Sequence, residues 1–168
     1  MSEQQNLPPN YFYHQLPNGI EIVGQYMPSL SSITLGFQLD AAIINEPEEK
    51  PGLAHLFEYM LFQGTKKKDA RALNEAFESL GVRKGASTGW ETARILAQMV
   101  NTKFDATLPL MHEILLTPTF PQEELEQMRS IVLQEIRRRD DEPMSRISDL
   151  VRANFYRGSA LGRPSLGT

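Results

Sequence analysis

The sequence predicts an α+β fold, in which helices pack on one face of a mostly antiparallel sheet. Three observations lead to this prediction: an Asn-Gly turn near the N-terminus, segments in which apolar and polar residues alternate, and helical segments between and after them. Hairpin connections join neighbouring strands in antiparallel order. The 168 residues, 40% hydrophobic and 23% charged, suffice for one domain with a hydrophobic core.

Five strands account for the alternating segments. Asn18-Gly19 supplies the positive φ of a tight turn, so the two strands that flank it form a hairpin. In the third strand, Ile33, Leu35 and Phe37 alternate with polar or small residues, and we expect this half-buried strand to join the sheet of the hairpin. The predicted strands are 11–16, 20–25, 32–39, 82–88 and 91–100.

The predicted helices are bounded by residues that favour helix ends. Pro51 suits a first turn, Asp69 is an N-cap, Gly81 follows a helix end and Pro143 interrupts a helical pattern. The last segment is rich in Gly, Ser and Pro and has no core of its own, and residues 1–10 are expected to form a flexible arm. The predicted helices are 51–63, 70–80, 103–116, 121–141 and 144–156.

The helix predicted at 51–63 carries two ionisable residues among apolar ones. Because it is apolar nearly all round, we expect it to be buried, and His55 and Glu58 with it. Both share a face with Tyr59, since residues three and four apart are neighbours on a helix. A buried carboxylate needs a cation, a metal or hydrogen-bond donors. Two interpretations remain open at this point: a His–Glu pair that satisfies itself in the core, or an altered zinc-binding helix.

The segment GLAHLFEYMLFQGT resembles the zinc-binding helix of the pitrilysin/insulinase family, the inverted-motif zinc peptidases that include mitochondrial processing peptidase-like proteins. The family pattern is H-x-x-E-H, in which both His bind zinc and the Glu is the general base acting on the zinc-bound water. By position, the resemblance implies that His55 is a zinc ligand and Glu58 the general base. Tyr59 stands where the second zinc-binding His is expected.

A second segment supports the resemblance. On the helix predicted at 121–141, Glu135 interrupts an otherwise apolar stripe and follows Tyr59 by 76 positions, the spacing at which the family supplies its third zinc ligand. The resemblance reaches the tail GRPSLGT and implies the pitrilysin fold, which processing peptidases share. It also implies that 11–168 is the N-terminal portion of a longer peptidase domain that is followed by a second half.

Several positions depart from the family pattern. The family strand that reads N-A-x-T-x-x-D-x-T-x-Y offers its edge to an extended substrate, and here Gly85 replaces its Asn. Met128 stands where many active members carry a further Glu. Together with Tyr59, these changes suggest a site released from catalysis. By resemblance, the candidate substrate-binding residues are Gly85, Ala86, Ser87 and Thr88.

The resemblance therefore implies a non-catalytic subunit or half that pairs with an active peptidase and helps to bind a peptide. Zinc binding is expected to be weak or lost, because only His55 and Glu135 are standard ligands. Ionising Tyr59 at pH 7 would cost about 4 kcal/mol from a phenolic pKa of about 10. One alternative is an active zinc endopeptidase with an unusual Tyr59 ligand. Another is a structural subunit like the core proteins of the respiratory cytochrome bc complex.

Composition and charge exclude other classes. The net charge of −4 and the pI near 5.4 leave no basic surface for nucleic acid. The absence of cysteine removes thiol chemistry and fits a cytoplasmic location. The N-terminus has neither the basic start nor the apolar run of a signal or membrane-spanning segment, so membrane insertion is not expected. His14 and His112 are spaced with no second ligand and are expected to be structural or on the surface.

Overall fold

In the computed structural model, which describes residues 8–168, the chain forms two compact units, one ending at Ser32 and the other beginning at Ile33. The flexible arm predicted at 1–10 lies outside the described residues over positions 1–7. Its last three residues form a turn, in which the Tyr11 N–H donates to the Pro8 carbonyl oxygen at 3.1 Å.

The first unit contains the predicted hairpin. Strands β1 (Tyr11–Gln15) and β2 (Glu21–Gln25) pair antiparallel. Gly19 adopts the positive φ of 88° that the turn requires, and the Leu16 N–H donates to the Ile20 carbonyl oxygen at 2.8 Å. The Asn-Gly signal therefore predicted both the turn and the antiparallel pairing.

The second unit contains a three-stranded sheet with the strand order β3-β5-β4. Its strands are β3 (Ser32–Leu39), β4 (Arg83–Thr88) and β5 (Ala93–Val100), and β4 pairs antiparallel with β5. The prediction that β3 joins the sheet of the hairpin is wrong, because β3 is hydrogen-bonded to β5. The reason is burial: the apolar residues of β3 pack against the same core as the buried face of β5, whereas the hairpin strands are mostly exposed.

Five α-helices lie in the second unit: α1 (Leu53–Met60), α2 (Ala70–Ser79), α3 (Phe104–Leu116), α4 (Gln122–Asp141) and α5 (Pro143–Phe155). The N-cap prediction for α2 is confirmed, since the Asp69 carboxylate accepts from the Ala72 N–H at 2.7 Å. The largest difference in bounds is at α1, which ends at Met60 rather than at residue 63. Between residues 8 and 168, no helix is long and apolar enough to cross a membrane.

The hydrophobic core lies between the sheet and the helices. Its largest completely buried side chains come from the residue that follows α1, from α2, from α3 and from central β5. They are Leu61, Leu73, Phe77, Ile95, Met111 and Ile114. Packing on this core positions α1, which α4 contacts on another side. The pairing of α1 with α4 builds the candidate site.

The start of α1 is held by residues distant in sequence. Its N-cap, Gly52, offers no side chain, and the buried carboxylate of Glu46 instead accepts from the Gly52 N–H at 3.2 Å and the Ala54 N–H at 2.7 Å. The tail passes so close that a Cβ at Gly52 would stand 2.7 Å from the Leu166 carbonyl oxygen. A Cβ at Gly167 would stand 2.5 Å from the carbonyl oxygen that precedes Gly52. Two glycine backbones therefore pack against each other here.

The C-terminal tail lacks a core of its own, as predicted, but specific contacts attach it to the unit. The Trp90 indole N–H donates to the Arg163 carbonyl oxygen at 3.2 Å, and the Arg152 guanidinium lies 3.6 Å from the centre of the Trp90 ring. The Arg163 side chain donates in turn to the Glu46 carbonyl oxygen at 2.7 Å. Trp90 therefore packs against the tail.

Candidate functional site

Helix α1 presents His55, Glu58 and Tyr59 on one side, because residues three and four apart share a helix face. The prediction that α1 is buried all round is wrong: Leu53 is 44% exposed, and the side chains of His55 and Glu58 keep exposures of 14% and 21%. The physical reason is that only part of the α1 circumference faces the core. The His55 side faces α4 and an adjoining cleft.

Glu135 reaches this side of α1 from α4. One carboxylate oxygen, Oε1, accepts from the Tyr59 hydroxyl at 2.6 Å, and the other, Oε2, lies 2.8 Å from His55 Nε2. His55 Nδ1 lies 3.5 Å from Glu58 Oε2, and the imidazole meets the Tyr59 ring edge-on with centroids 5.3 Å apart. The structure therefore brings all four residues of the candidate site together.

Hydrogen bonds and charges shift the proton affinities of these groups. The bond to the Glu135 carboxylate, with burial and the nearby charges, raises the pKa of Tyr59 to about 12. Burial alone would lower the pKa of His55, but Glu58 and Glu135 outweigh it and raise this pKa above its usual 6.5. For Glu135, burial is outweighed by His55, Tyr59 and Arg138, so its pKa falls below its usual value. At neutral pH the arrangement is therefore a protonated phenol bonded to a carboxylate.

The Gln63 side chain makes a further contact with the backbone of Tyr59. The Gln63 side chain donates to the Tyr59 carbonyl oxygen at 3.1 Å and to the Met128 sulfur at 3.4 Å. Met128 is buried on α4, so no carboxylate stands at this position of the α1–α4 contact. Gln63 therefore links the end of α1 to α4 with uncharged groups.

A cleft of about 510 Å³ opens beside His55 and Glu135. Its lining includes a half-buried ion pair, in which Arg139 Nε lies 3.2 Å from Asp149 Oδ2. Arg139 also donates to the Gly167 carbonyl oxygen at 3.4 Å, which joins α4, α5 and the tail. The cleft is lined by His55, Glu135, Arg138, Arg139, Glu142, Met144, Ser145, Ser148, Asp149, Ser165 and Leu166.

The four candidate substrate-binding residues lie on β4, next to α1. Among the described residues, β4 pairs only with β5, so it forms one edge of its sheet. Gly85 and Ser87 are exposed, whereas Ala86 and Thr88 are half-buried. The Thr88 hydroxyl donates to the Ala54 carbonyl oxygen at 3.1 Å, which ties this edge to the helix that carries His55.

With this geometry established, comparison with known proteins gives the family. A sequence model of the insulinase family, peptidase family M16, matches residues 22–168. The chain belongs to peptidase family M16. Its fold class, α+β with an antiparallel strand pair and packed helices, is that of solved M16 domains.

M16 relatives include proteins named as zinc proteases and a processing-peptidase subunit. The chain is 30% identical over 151 residues to the uncharacterized zinc protease YmxG of Bacillus subtilis, covering 90% of this chain and 37% of that protein. It is 28% identical over 152 residues to the probable mitochondrial-processing peptidase subunit beta of Arabidopsis thaliana, covering 90% of this chain and 29% of that protein. The chain thus spans well under half the length of these relatives.

Two solved structures share the fold. The chain superposes with a TM-score of 0.86 on a peptidase M16 inactive domain from Pseudomonas fluorescens, covering 94% of this chain and 39% of that one. It superposes with a TM-score of 0.87 on a protease from Helicobacter pylori, covering 95% and 39%. Because both structures are only 22% identical to this chain in sequence, these likenesses show the fold alone.

Zinc is the metal that the names of the M16 relatives imply, and the donors in this chain do not fit it. A catalytic zinc takes three protein ligands and leaves one position for water. Over residues 8–168, no group of three His, Cys, Asp or Glu side chains is arranged to hold a metal ion. The Tyr59 hydroxyl keeps its proton, and both oxygens of Glu135 are engaged by His55 and Tyr59. The donor set therefore lacks a third standard ligand.

Some groups around the M16 site were missed from the sequence. Glu46 lies in an acidic loop, and the only hint of its capping role is that Gly52 cannot cap α1 with a side chain. The Arg139–Asp149 ion pair joins α4 to α5, and no spacing in the sequence pairs these two residues. His14 and His112 are both exposed.

Proposed function

We propose that this chain is a non-catalytic M16 subunit or half, which pairs with an active peptidase and helps to bind an extended peptide. The observation that carries the proposal is the Tyr59 hydroxyl bonded to Glu135 at 2.6 Å, at the position where the family pattern has a zinc-binding His. With His55 as the nitrogen donor and Glu58 as the general-base position, the set lacks one ligand. Efficient activation of water by zinc needs that ligand.

The energetics of Tyr59 support this proposal. An ordinary phenol already costs about 4 kcal/mol to ionise at pH 7, and the bond to Glu135, which raises the pKa of Tyr59 to about 12, makes this ionisation harder still. A neutral imidazole at the same position would offer its lone pair at almost no such cost. Zinc binding by the natural chain is therefore weak or lost, and peptide hydrolysis is negligible.

A role in peptide binding is supported by the β4 edge. An extended peptide can add to an exposed sheet edge through main-chain hydrogen bonds, with side-chain pockets supplying specificity. Residues Gly85, Ala86, Ser87 and Thr88 would form this edge, and the Thr88 bond to α1 keeps it beside the altered metal site. The partner would be a homologous active subunit or a second M16 half, since one relative is itself named a subunit. A cytoplasmic location fits the cysteine-free composition.

The proposal is tested by titrating metal-free protein with zinc in a calorimeter. We expect weak or no zinc binding by the natural chain and clear binding by Tyr59→His, which restores two His and one Glu. Tyr26→His is the matched control, because it adds a histidine at an exposed position of the hairpin unit. Its zinc affinity should equal that of the natural chain.

Hydrolysis of a quenched fluorogenic peptide separates the proposal from its alternatives. We expect no cleavage by the natural chain. Tight binding of one zinc, together with cleavage that Glu58→Gln abolishes, would establish the active zinc endopeptidase instead. If the chain neither cleaves nor binds the peptide, the alternative of a structural core-type subunit replaces the proposed peptide-binding subunit.

A further inference from the structure

The altered site joins two helices that are far apart in sequence. Tyr59 and His55 of α1 both bond to Glu135 of α4, across sequence separations of 76 and 80 residues. We propose that these three residues form a metal-free clasp, a set of hydrogen bonds that holds α1 against α4 without a metal ion. This inference goes beyond the proposed function, because it concerns the integrity of the site and not what the site binds.

The chemistry of the clasp follows from the tyrosine. A zinc-binding His at position 59 would direct a ring-nitrogen lone pair at the metal, and without a metal only an N–H of its ring could donate to Glu135. Tyrosine brings a hydroxyl that carries its own proton, and its bond to the carboxylate is short at 2.6 Å, as expected for a hydrogen bond to a charged acceptor. The hydroxyl hydrogen of Tyr59 therefore faces the Glu135 carboxylate where a metal cation would otherwise face it.

Both oxygens of the Glu135 carboxylate take part in the clasp, and this fixes the orientation of the carboxylate. Oε1 accepts from Tyr59 while Oε2 contacts His55, so Glu135 is held between two α1 side chains one turn apart. Rotation of the carboxylate toward either partner would lengthen its contact with the other. A metal would have to displace these contacts in order to use Glu135 as a ligand.

The rest of the α1–α4 contact gives a reason why a clasp is needed. An open groove of about 290 Å³ separates the two helices on the side of Leu53 and Leu133, both of which are more than 40% exposed. Apolar packing between α1 and α4 is therefore incomplete on this side. The side-chain hydrogen bonds of the clasp join the two helices, and Gln63, just beyond the end of α1, adds its bond to Met128 of α4.

The clasp predicts that the stability of the natural chain is independent of metal. Its thermal midpoint should move by less than about 1 °C on adding EDTA or zinc chloride. Tyr59→Phe removes only the hydroxyl and should lower the midpoint by roughly 2–6 °C in both conditions. Tyr156→Phe is the matched control, since the Tyr156 side chain has ring contacts but makes no hydroxyl hydrogen bond within the described residues.

In Tyr59→His, the contact between α1 and α4 should depend on a bound metal instead of on the Tyr59 hydrogen bond. The midpoint of this variant should lie below that of the natural chain in EDTA and rise by roughly 5–10 °C when free zinc reaches one hundred times its dissociation constant. Amide exchange should localise these effects to α1 and to the part of α4 around Glu135. Faster exchange in Tyr59→Phe should appear there and not in α2.

Two results would overturn the inference. One is a natural chain whose midpoint falls in EDTA or rises in zinc, because a metal would then hold the helices. The other is a Tyr59→Phe variant that behaves like Tyr156→Phe in both midpoint and exchange. The comparison of midpoints in EDTA and in zinc uses the natural chain alone. It can therefore overturn the inference even if a variant fails to fold. A midpoint that responds to zinc would count against the proposed function as well, whereas a Tyr59→Phe variant that behaves like Tyr156→Phe would overturn this inference alone.

Discussion

Replacing Glu46 should loosen the start of the helix that carries His55. The Glu46 side chain is only 7% exposed, and its carboxylate is the acceptor for two N–H groups at the first turn of α1. Glu46→Ala leaves both donors without this partner and removes a negative charge from the positive end of the helix dipole. Loss of a capping side chain costs about 1–2 kcal/mol, and a buried unsatisfied donor costs about 1–3 kcal/mol.

Since water can reach part of the opened site, we expect a total loss of about 2–4 kcal/mol in the free energy of unfolding. This corresponds to a fall of roughly 4–16 °C in the thermal midpoint of a protein of this size. Glu46→Gln keeps one acceptor oxygen and should lose about half as much. Glu48→Ala is the matched control, because its side chain is 92% exposed and should change stability by less than about 0.5 kcal/mol.

The assay is urea denaturation of the three variants, with amide exchange at Gly52 and Ala54 as the local measurement. Exchange at these two amides should accelerate in Glu46→Ala and remain unchanged in Glu48→Ala. Equal stability losses in both alanine variants would refute the reasoning. So would unchanged exchange at Ala54, because the bond from its N–H is the shorter of the two, at 2.7 Å.

Three other predictions concern acid stability, peptide docking along β4 and a substitution within β4. The bond from Lys68 lowers the pKa of buried Glu113 below its usual 4.5, so Glu113 adds stability above pH 4.5 that is lost as the pH falls through its lower folded pKa. In urea titrations, Lys68→Met should weaken this dependence of stability on acid pH, and Lys66→Met should leave it unchanged. Equal pH profiles for the two variants would exclude a role of the Lys68–Glu113 bond in acid stability. Saturating peptide should slow amide exchange along β4, and unchanged exchange would count against docking there. Gly85→Asn should leave stability within about 0.5 kcal/mol, because an added Cβ meets no atom within 4 Å.

Local sequence signals predicted the parts of the fold that neighbouring residues determine. The Asn18-Gly19 turn and the Asp69 cap both depend on residues within four positions of each other, and both are present as predicted. Glu135 was found differently, by its position on an apolar helix stripe and by its spacing from Tyr59 in the family pattern. The structure places its carboxylate at hydrogen-bonding distance from Tyr59.

Interactions over long sequence distances were not predictable in the same way. The alternation of β3 indicates that one face is buried, but it does not say which strand lies beside it, and so the predicted pairing was wrong. Glu46 lies in the acidic loop before α1, where no local pattern indicates that its buried carboxylate accepts from N–H groups at the start of that helix. The hydrogen bond between Tyr59 and Glu135 required coordinates, because the spacing of the residues does not reveal whether the phenol keeps its proton.

The close packing of Gly52 against Gly167 bears on the order in which the chain is completed during synthesis. A ribosome produces the N-terminal segments first, and contacts between distant residues must wait for the later partner. The first turn of α1 borders the glycine of the tail, and Arg163 reaches the backbone of the loop that caps the helix. The helix with His55 therefore acquires its final surroundings only when the last residues of this segment have emerged. Until then, a nascent chain lacks the contacts of Arg163 and Gly167 that surround the start of this helix.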